Sequence, residues 1–435
     1  MALKIVALTG LLAPALVFSA PAAERMGFVE FFEAAQKSGA QLGAQQAKLD
    51  FAKARLDFAN SKSWFAGNVT ALAAPVPGAE GNAVTGRTNW DEWGILSSVQ
   101  LEIYQPIYSF GAIGSGQEAA DAGVRAEAAL LERDRFKLQY EVAELYFGYQ
   151  MAFEFIQLTS EASERLDKAM AKLKSPPQRD QLAAVVNEIK IRKQEAEFGR
   201  LNAKRAMAWK IGRLDVEPQW DRANLVARPI QLKTFEEYLK ISQARRPERL
   251  ALVEGVKARK AMYESQKAQY MPVIVAGGQG EFRHAPNRED QSSPYANDVG
   301  NKLEGAAGIG LRWNLGFHER ASEVAKARAE WMEAEAMLRH LDAGMNVEVY
   351  KAYNDLQQAQ ATYELRTDTM RAARRLVQDL VIDQEISSGK SAASNQSTVQ
   401  KFAAYLSAKR DEIDSLYKFN LATYKFEQVV GASVF

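Results

Sequence analysis

The 435-residue sequence predicts a mainly α-helical chain built as two copies of one plan: helix, β-hairpin, long helix, helix. Three observations carry that prediction. The stretch from Ala112 to Leu173 holds no proline, and its apolar residues Leu138, Val142, Leu145, Tyr149, Ala152 and Ile156 recur in steps of three and four. Such spacing keeps one apolar seam on one side of a helix, and at 1.5 Å per residue the stretch would run roughly 90 Å. The seam returns as Val349, Ala352, Leu356, Ala359, Tyr363, Met370, Ala373, Val377 and Leu380, with Val142/Val349, Tyr146/Tyr353 and Ala152/Ala359 all 207 residues apart. One constant offset marks a repeat rather than two similar helices. Finally, between the helical stretches of each copy the apolar period shortens to two, the mark of a strand with two unlike faces.

Composition narrows the function classes. Lys and Arg number 55 against 54 Asp and Glu, a balance that gives no reason to expect nucleic acid. The absence of cysteine removes disulfides, thiolate catalysis and Cys-based zinc sites. His284, His318 and His340 lack partners at metal-ligand spacing and read as ordinary polar residues. Glu132 and Asp134 read as surface carboxylates on charged helix faces. No nucleophile, base and orienting group can be assembled, so no enzyme is expected.

The first residues read as an export signal: Lys4 supplies the positive charge, Ile5 to Phe18 the apolar run, and Ala20-Pro21-Ala22 a small-residue cleavage site, giving a signal segment over 1–22. The first repeat follows over 23–211. Its opening helix spans Phe28 to Lys62, with a bend expected at Gly39 and Gly43. Hairpin strands lie within about 65–108: Asn68 to Ala74, then Ile95 to Ile107, where Ile95, Val99, Leu101, Ile103 and Ile107 alternate with polar residues. Pro75, Pro77, Gly78, Gly81 and Gly86 supply the loop between them. Gly111, Gly114 and Gly116 pass the chain into the long helix. Their order is GxxGxG, whereas a dinucleotide fingerprint needs GxGxxG and a phosphate loop needs Gly-Lys-Ser/Thr. The long helix stops at Ser175-Pro176-Pro177, and Asp180 is placed to cap a return helix from Gln181 to about Lys210, leaving a helical tip over 175–180.

Residues 212–233, with Pro218 and Pro229, read as a connector, and the second repeat covers 234–435. Phe235, Tyr238 and Leu239 match Phe28, Phe31 and Phe32. A helix from Arg246-Pro247-Glu248 ends at Tyr270-Met271-Pro272. Hairpin strands lie within about 272–315, joined by a loop from Pro286 to Asn301. The return strand sets Leu303, Ala307, Ile309, Leu311, Trp313 and Leu315 against Glu304, Gly308, Gly310, Arg312 and Asn314. A second long helix from about Glu319 to Ile386, a tip over 387–394 and a return helix to Val430 complete the copy.

Strands with one apolar face and no helix to cover it suit a membrane β-barrel, lipid outside and water inside. Glu102 and Arg312 are then candidate lumen-facing charges. Four strands per chain leave two edges, which a bilayer does not tolerate, so several chains must contribute. Three would give a 12-stranded barrel, continued by a long α-helical barrel.

The duplicated order resembles the TolC family of outer-membrane efflux proteins. The likeness rests on Arg246-Pro247-Glu248 with its helix to Tyr270-Met271-Pro272, on the strand-to-helix passages Gln105-Pro106-Ile107-Tyr108-Ser109-Phe110-Gly111 and Trp313-Asn314-Leu315-Gly316, and on the tip around Gly389. It implies a homotrimeric channel in the outer membrane of a Gram-negative bacterium, in contact with outer-membrane lipid and extending into the periplasm. It also implies partners: a periplasmic adaptor protein and an inner-membrane pump of RND, ABC or MFS type, or a type I secretion machine. Such a passive duct needs no cofactor. By the same likeness Gly389 and Ser391 in the second tip, and Asp180 in the first, would meet the adaptor. The positions that narrow the family's entrance fall at Asn395 and Thr398, where the family's acidic ring is replaced by an amide and a hydroxyl. The first tip, with Pro176-Pro177, departs from the family's glycine-containing turn. Two other readings are open to a chain of long helices: the periplasmic adaptor itself, which would carry a lipoyl-like β-domain, and a structural coiled-coil envelope protein, which has no use for an amphipathic sheet.

Overall fold

The computed structural model describes residues 26–81, 85–172, 176–214, 219–221, 224–290, 300–378 and 392–435. The expected export signal and the tip residues Gly389 and Ser391 lie outside the described residues. The first copy contains α1 (Phe28–Ser38), α2 (Ala40–Ser61), β1 (Ala66–Glu80), β2 (Arg87–Tyr108), α3 (Ala112–Lys172) and α4 (Pro176–Lys210). The second contains α5 (Phe235–Arg245), α6 (Pro247–Ala268), β3 (Val273–His284), β4 (Lys302–Arg312), α7 (Phe317–Gln378) and α8 (Ala392–Val430). The same plan is therefore drawn twice, as the repeat in the sequence requires.

The repeat extends to backbone conformation. Gly39, between α1 and α2, has φ −68° and ψ 112°, and Arg246, between α5 and α6, has φ −59° and ψ 120°. These residues stand 207 apart. Of the two glycines expected to bend the first helix, Gly39 breaks it, whereas Gly43 continues within α2.

The chain divides into two compact units. One comprises Met1–Gly39, Leu138–Arg228 and Gln358–Tyr424; the other comprises Ala40–Lys137, Pro229–Gln357 and Lys425–Phe435. In the first, the seam residues Leu138, Val142, Tyr149 and Ala152 are buried as their spacing demands. Phe28 stacks on Phe147 at 5.6 Å and meets the edge of Tyr146 at 5.7 Å, while buried Phe31 packs against Trp220 at 5.1 Å. The second unit repeats part of this device 207 residues further on: Phe235 lies 6.3 Å from Tyr353, as Phe28 lies beside Tyr146, while Tyr238 packs 6.1 Å from Tyr353 and takes a different partner, Phe426, at 4.8 Å. Each unit thus pins a short helix to a long one through aromatic rings, whose area makes them the largest single contributors to such a core.

The described part of the connector is tied down by a parallel β-bridge between Met26 and Trp220 and by side chains. The Leu225 amide donates to Glu154 Oε1 at 2.7 Å, the Arg228 amide donates to Asn420 Oδ1 at 3.0 Å, and Asn420 Nδ2 donates to the Val226 carbonyl at 2.9 Å. Burial pushes the Glu154 carboxyl above its usual range, more than the Leu225 amide and nearby Lys409 pull it down, with Glu412 adding to the rise.

Several expectations change. Pro75, Pro77 and Gly78 lie within β1, not in a loop, and the register shifts between Pro77 and Gly78, where β2 carries the extra residues Trp90 to Glu92; within the chain β1 is an edge strand, where proline is admitted. Gly114 and Gly116 lie inside α3, and the bend rests on Phe110 (φ 50°) and Gly111 (φ 94°). Asp180 does not cap α4, which starts four residues earlier at Pro176. Proline suits a helix start because its fixed φ is already helical and the missing N–H has no partner there. Asp134 is not a surface carboxylate: it is 7% exposed and bound to Arg133 at 2.7 Å.

Gly431 follows α8 with φ +74°, and a Cβ there would lie 2.6 Å from Arg246 Cα and from Pro247 Cδ. Gly431→Ala is expected to cost about 2 kcal/mol or more, since a left-handed residue and a backbone clash combine. Gly43→Ala, with open space around it, should instead gain about 0.5–1 kcal/mol. Thermal melts followed by circular dichroism would check both signs. Glu154→Gln should melt with the wild type near pH 4, where Glu154 is protonated. It should melt above the wild type at pH 7, because a raised folded-state pKa means stability is lost as pH rises through it.

Candidate functional site

The four strands form one antiparallel sheet in the order β1-β2-β3-β4. Register sorts its side chains, because residues directly opposite each other share a face. Val69, Leu101, Gly280 and Gly305 stand in one row, and Ala71, Val99, Phe282 and Leu303 in the next row on the same side. Asn68, Glu102, Gln279 and Ala306 stand in a row on the opposite side, followed by Thr70, Gln100, Glu281 and Glu304. Small residues on β3 and β4 and large apolar ones on β2 make the first face smooth and greasy. The second carries the charges.

Exposure is inverted relative to a water-soluble sheet. On the apolar face Leu303 is 84% exposed and Ile309 76% exposed. On the polar face the side chains of Glu281 and Lys302 are only 16% and 17% exposed and meet at 2.7 Å. Glu281 also pairs with Arg283, and Lys302 reaches Glu304 at 2.8 Å. Apolar residues on β2 run from Ile95 to Ile107, about 41 Å of strand or on the order of 30 Å of height at a barrel tilt. Trp90 and Trp93 mark the loop end, while Trp64, Phe65, Tyr108 and Trp313 mark the helix end, all of them exposed. Aromatic girdles at both ends of an apolar band are what a bilayer interface selects.

Glu102 and Arg312 both lie on the polar face. Glu102 accepts from Gln100 Nε2 at 3.1 Å, and the Arg312 guanidinium sits 4.6 Å from the Tyr104 ring centroid. The sequence reading missed Glu281, Arg283 and Lys302, whose signal was present: Gln279, Glu281 and Arg283 alternate with Gly278, Gly280 and Phe282. Glycines on the lipid-type face hid the period, since an apolar residue is the usual marker of a strand's second side.

At the other candidate region, α3, α4 and α8 share a core of Ala162, Leu166, Ala169, Leu182, Val186 and Phe402. Asp180 is exposed on the early turns of α4. Asn395 belongs to the first turn of α8, its side chain outside the described residues. Thr398 is 3% exposed, near the start of α8. The structure brings Glu102 and Arg312 together on one sheet face, and places Asp180 and Thr398 elsewhere, in the helical unit.

No protein-family model matches the sequence, and no curated protein matches it. Solved structures do. The outer-membrane channel OprN superposes with a TM-score of 0.73 at 16% identity, over 93% of this chain and 90% of that one. The MtrE outer membrane channel of Neisseria gonorrhoeae, in its open state, gives 0.73 at 14% identity over 93% and 89%. CusC, studied for its folding and transmembrane channel formation, gives 0.70 at 15% over 93% and 92%. The fold is the one these outer-membrane channels have: helix, hairpin, long helix and helix drawn twice, with one four-stranded antiparallel sheet.

Two substitutions one residue apart test the assignment of faces. Leu101→Arg, at the middle of the apolar band, is expected to cost about 2–4 kcal/mol, the penalty for a cation facing lipid. Gln100→Arg, on the opposite face, should stay within about 0.5 kcal/mol. Urea unfolding of the detergent-solubilised protein would read the difference; equal costs would mean the faces are misassigned.

Proposed function

We propose that this protein is an outer-membrane exit duct, closed by three copies of the chain into a 12-stranded barrel that a helical barrel continues through the periplasm. The single observation that carries this reading is the inverted sheet: the paired charges Glu281 and Lys302 are sheltered on one face, leucines and isoleucines stand exposed on the other, and among the described residues no strand covers the outer edges of β1 and β4. A water-soluble protein would bury the apolar face, and a lone sheet in lipid would leave two edges of unmade hydrogen bonds. Identical neighbours, each pairing its β1 with the next copy's β4, remove both difficulties. The helices point the same way, since Phe51, Phe198, Leu201, Trp209, Leu365 and Leu376 are exposed as faces that await neighbouring helices.

The duct works passively. Ion-paired charges on the polar face give water and solutes a wetted wall without a binding pocket, and no cofactor enters. An inner-membrane transporter, joined through a periplasmic adaptor, supplies the driving force. The adaptor meets the channel at the helical tips, with Asp180 in the first and Gly389 and Ser391 in the second, while Asn395 contributes to an uncharged entrance. The channel fold of OprN, MtrE and CusC supports this reading. The export segment over 1–22 fits a protein that must leave the cytoplasm.

Electron microscopy of the detergent-solubilised particle, paired with planar-bilayer recording, provides the test. A three-fold tube on the order of 100 Å long, as helices of this length require, with stepwise conductance, is expected. A soluble monomer without conductance would overturn the proposal.

A further inference from the structure

At the loop end of the sheet, the residues that follow β3 do not leave the hairpin but fold back over its neighbour. The Ala79 amide donates to the Asn287 carbonyl at 3.2 Å, and the Glu289 amide donates to the Ala79 carbonyl at 3.2 Å. Asn287 Nδ2 donates to the Val76 carbonyl at 3.0 Å, and Glu289 Oε2 accepts from the Gly81 amide at 3.0 Å. Asn301 holds the strap's two ends: its Oδ1 accepts from the Ala285 amide at 2.7 Å, and its Nδ2 donates to the Arg288 carbonyl at 3.1 Å and to Asp290 Oδ1 at 2.7 Å. Ala285 is fully buried beneath this arrangement.

Register decides which face the strap crosses. Val76 pairs with Gly94, and Gly94 shares its side of β2 with Ser98, Gln100 and Glu102, which is the polar face. A Cβ on Gly94 would point to that face and come within 2.4 Å of Asn287 Oδ1 and 3.0 Å of Asn287 Cβ. Glycine at 94 is therefore what leaves a seat for the asparagine.

We propose that Ala285–Asp290 is a strap seated on Gly94 inside the outer mouth of the duct, narrowing it until the strap is released. This rests on the channel reading above, in which the polar face is the lumen. Hydrogen bonds, and not a hydrophobic core, hold Asn287 and Glu289 in place, which makes the strap the kind of element that opens locally while the sheet stays intact. Three copies would bring three straps to one mouth, so each needs to cover only part of it.

The chain has no cysteine, so a single Gln100→Cys gives a clean reporter on the polar face, about 20 Å deeper along β2 than Gly94. Intact cells are treated with two membrane-impermeant maleimides, one small and one carried on a bulky polyethylene glycol. The small reagent should label Cys-bearing protein with the strap in place, and the bulky one should be slow. Adding Gly94→Leu, whose side chain fills the asparagine's seat, should speed the bulky reagent about tenfold or more, the change that loss of a few hydrogen bonds makes in a docking equilibrium. Asn287→Ala removes the same contact without added bulk and should act in the same direction, which keeps the test decisive if Gly94→Leu fails to assemble. Equal bulky-reagent rates in all three backgrounds would overturn the strap while leaving the channel. Failure of even the small reagent to reach position 100 would overturn the channel reading and the strap with it.

Discussion

A backbone amide or carbonyl in a bilayer has no water to turn to, so a strand edge facing lipid forfeits a hydrogen bond at every second residue. This chain ends its sheet on β1 and β4 and turns its apolar side chains outward. The proposed architecture follows from reconciling those facts. A single copy cannot close four strands, and covering the apolar face with its own helices is not what the fold does: the long helices stay with their aromatic clusters, and the leucines of β4 are left standing free. In the proposed architecture copies of the chain supply the missing partner strands, and with closure the charges of Glu281, Arg283 and Lys302 acquire a wet interior to face.

Duplication gives the two halves equal helical frames but unequal hairpins. Gly39 and Arg246 break their helices with nearly the same backbone angles, and Phe31 and Tyr238 occupy matching buried seats. The hairpins, by contrast, differ in length: β1 and β2 hold 15 and 22 residues, β3 and β4 hold 12 and 11. The longer hairpin overhangs the shorter, and the residues after β3 use the overhang as a platform. Divergence between the copies is thus concentrated at the loop end, where the strap sits, while the helical seams that hold each copy together keep their spacing.

The helical frame was legible in the sequence because its signals are long and periodic. A seam of Val142, Tyr149 and Ala152, repeated at Val349, Leu356 and Ala359, leaves little else for the chain to form, and the structure places these helices within a residue or two of their expected starts. Proline and glycine were less reliable guides. Pro75 and Pro77 signal a loop by type but sit on an edge strand that tolerates them, and Pro176-Pro177 signals a break but opens a helix. The polar face was half legible: Glu102 and Arg312 alternate with large apolar neighbours, whereas Glu281 and Arg283 alternate with glycines that any loop could carry. The seat of Asn287 on Gly94 could not be read, since it joins residues 193 apart across a register that only the folded sheet fixes.

The account stands on closure of β1 against β4 of another copy, and cysteine pairing across that seam tests it most directly. Single cysteines on β1, at Val69 or Thr70, would be combined with a series along β4 from Leu303 to Ile309 and oxidised in the membrane. The account predicts disulfides between different chains for a contiguous register of pairs, giving covalent dimers and trimers and nothing larger. Crosslinks confined to single chains, or ladders that climb past three, would contradict it.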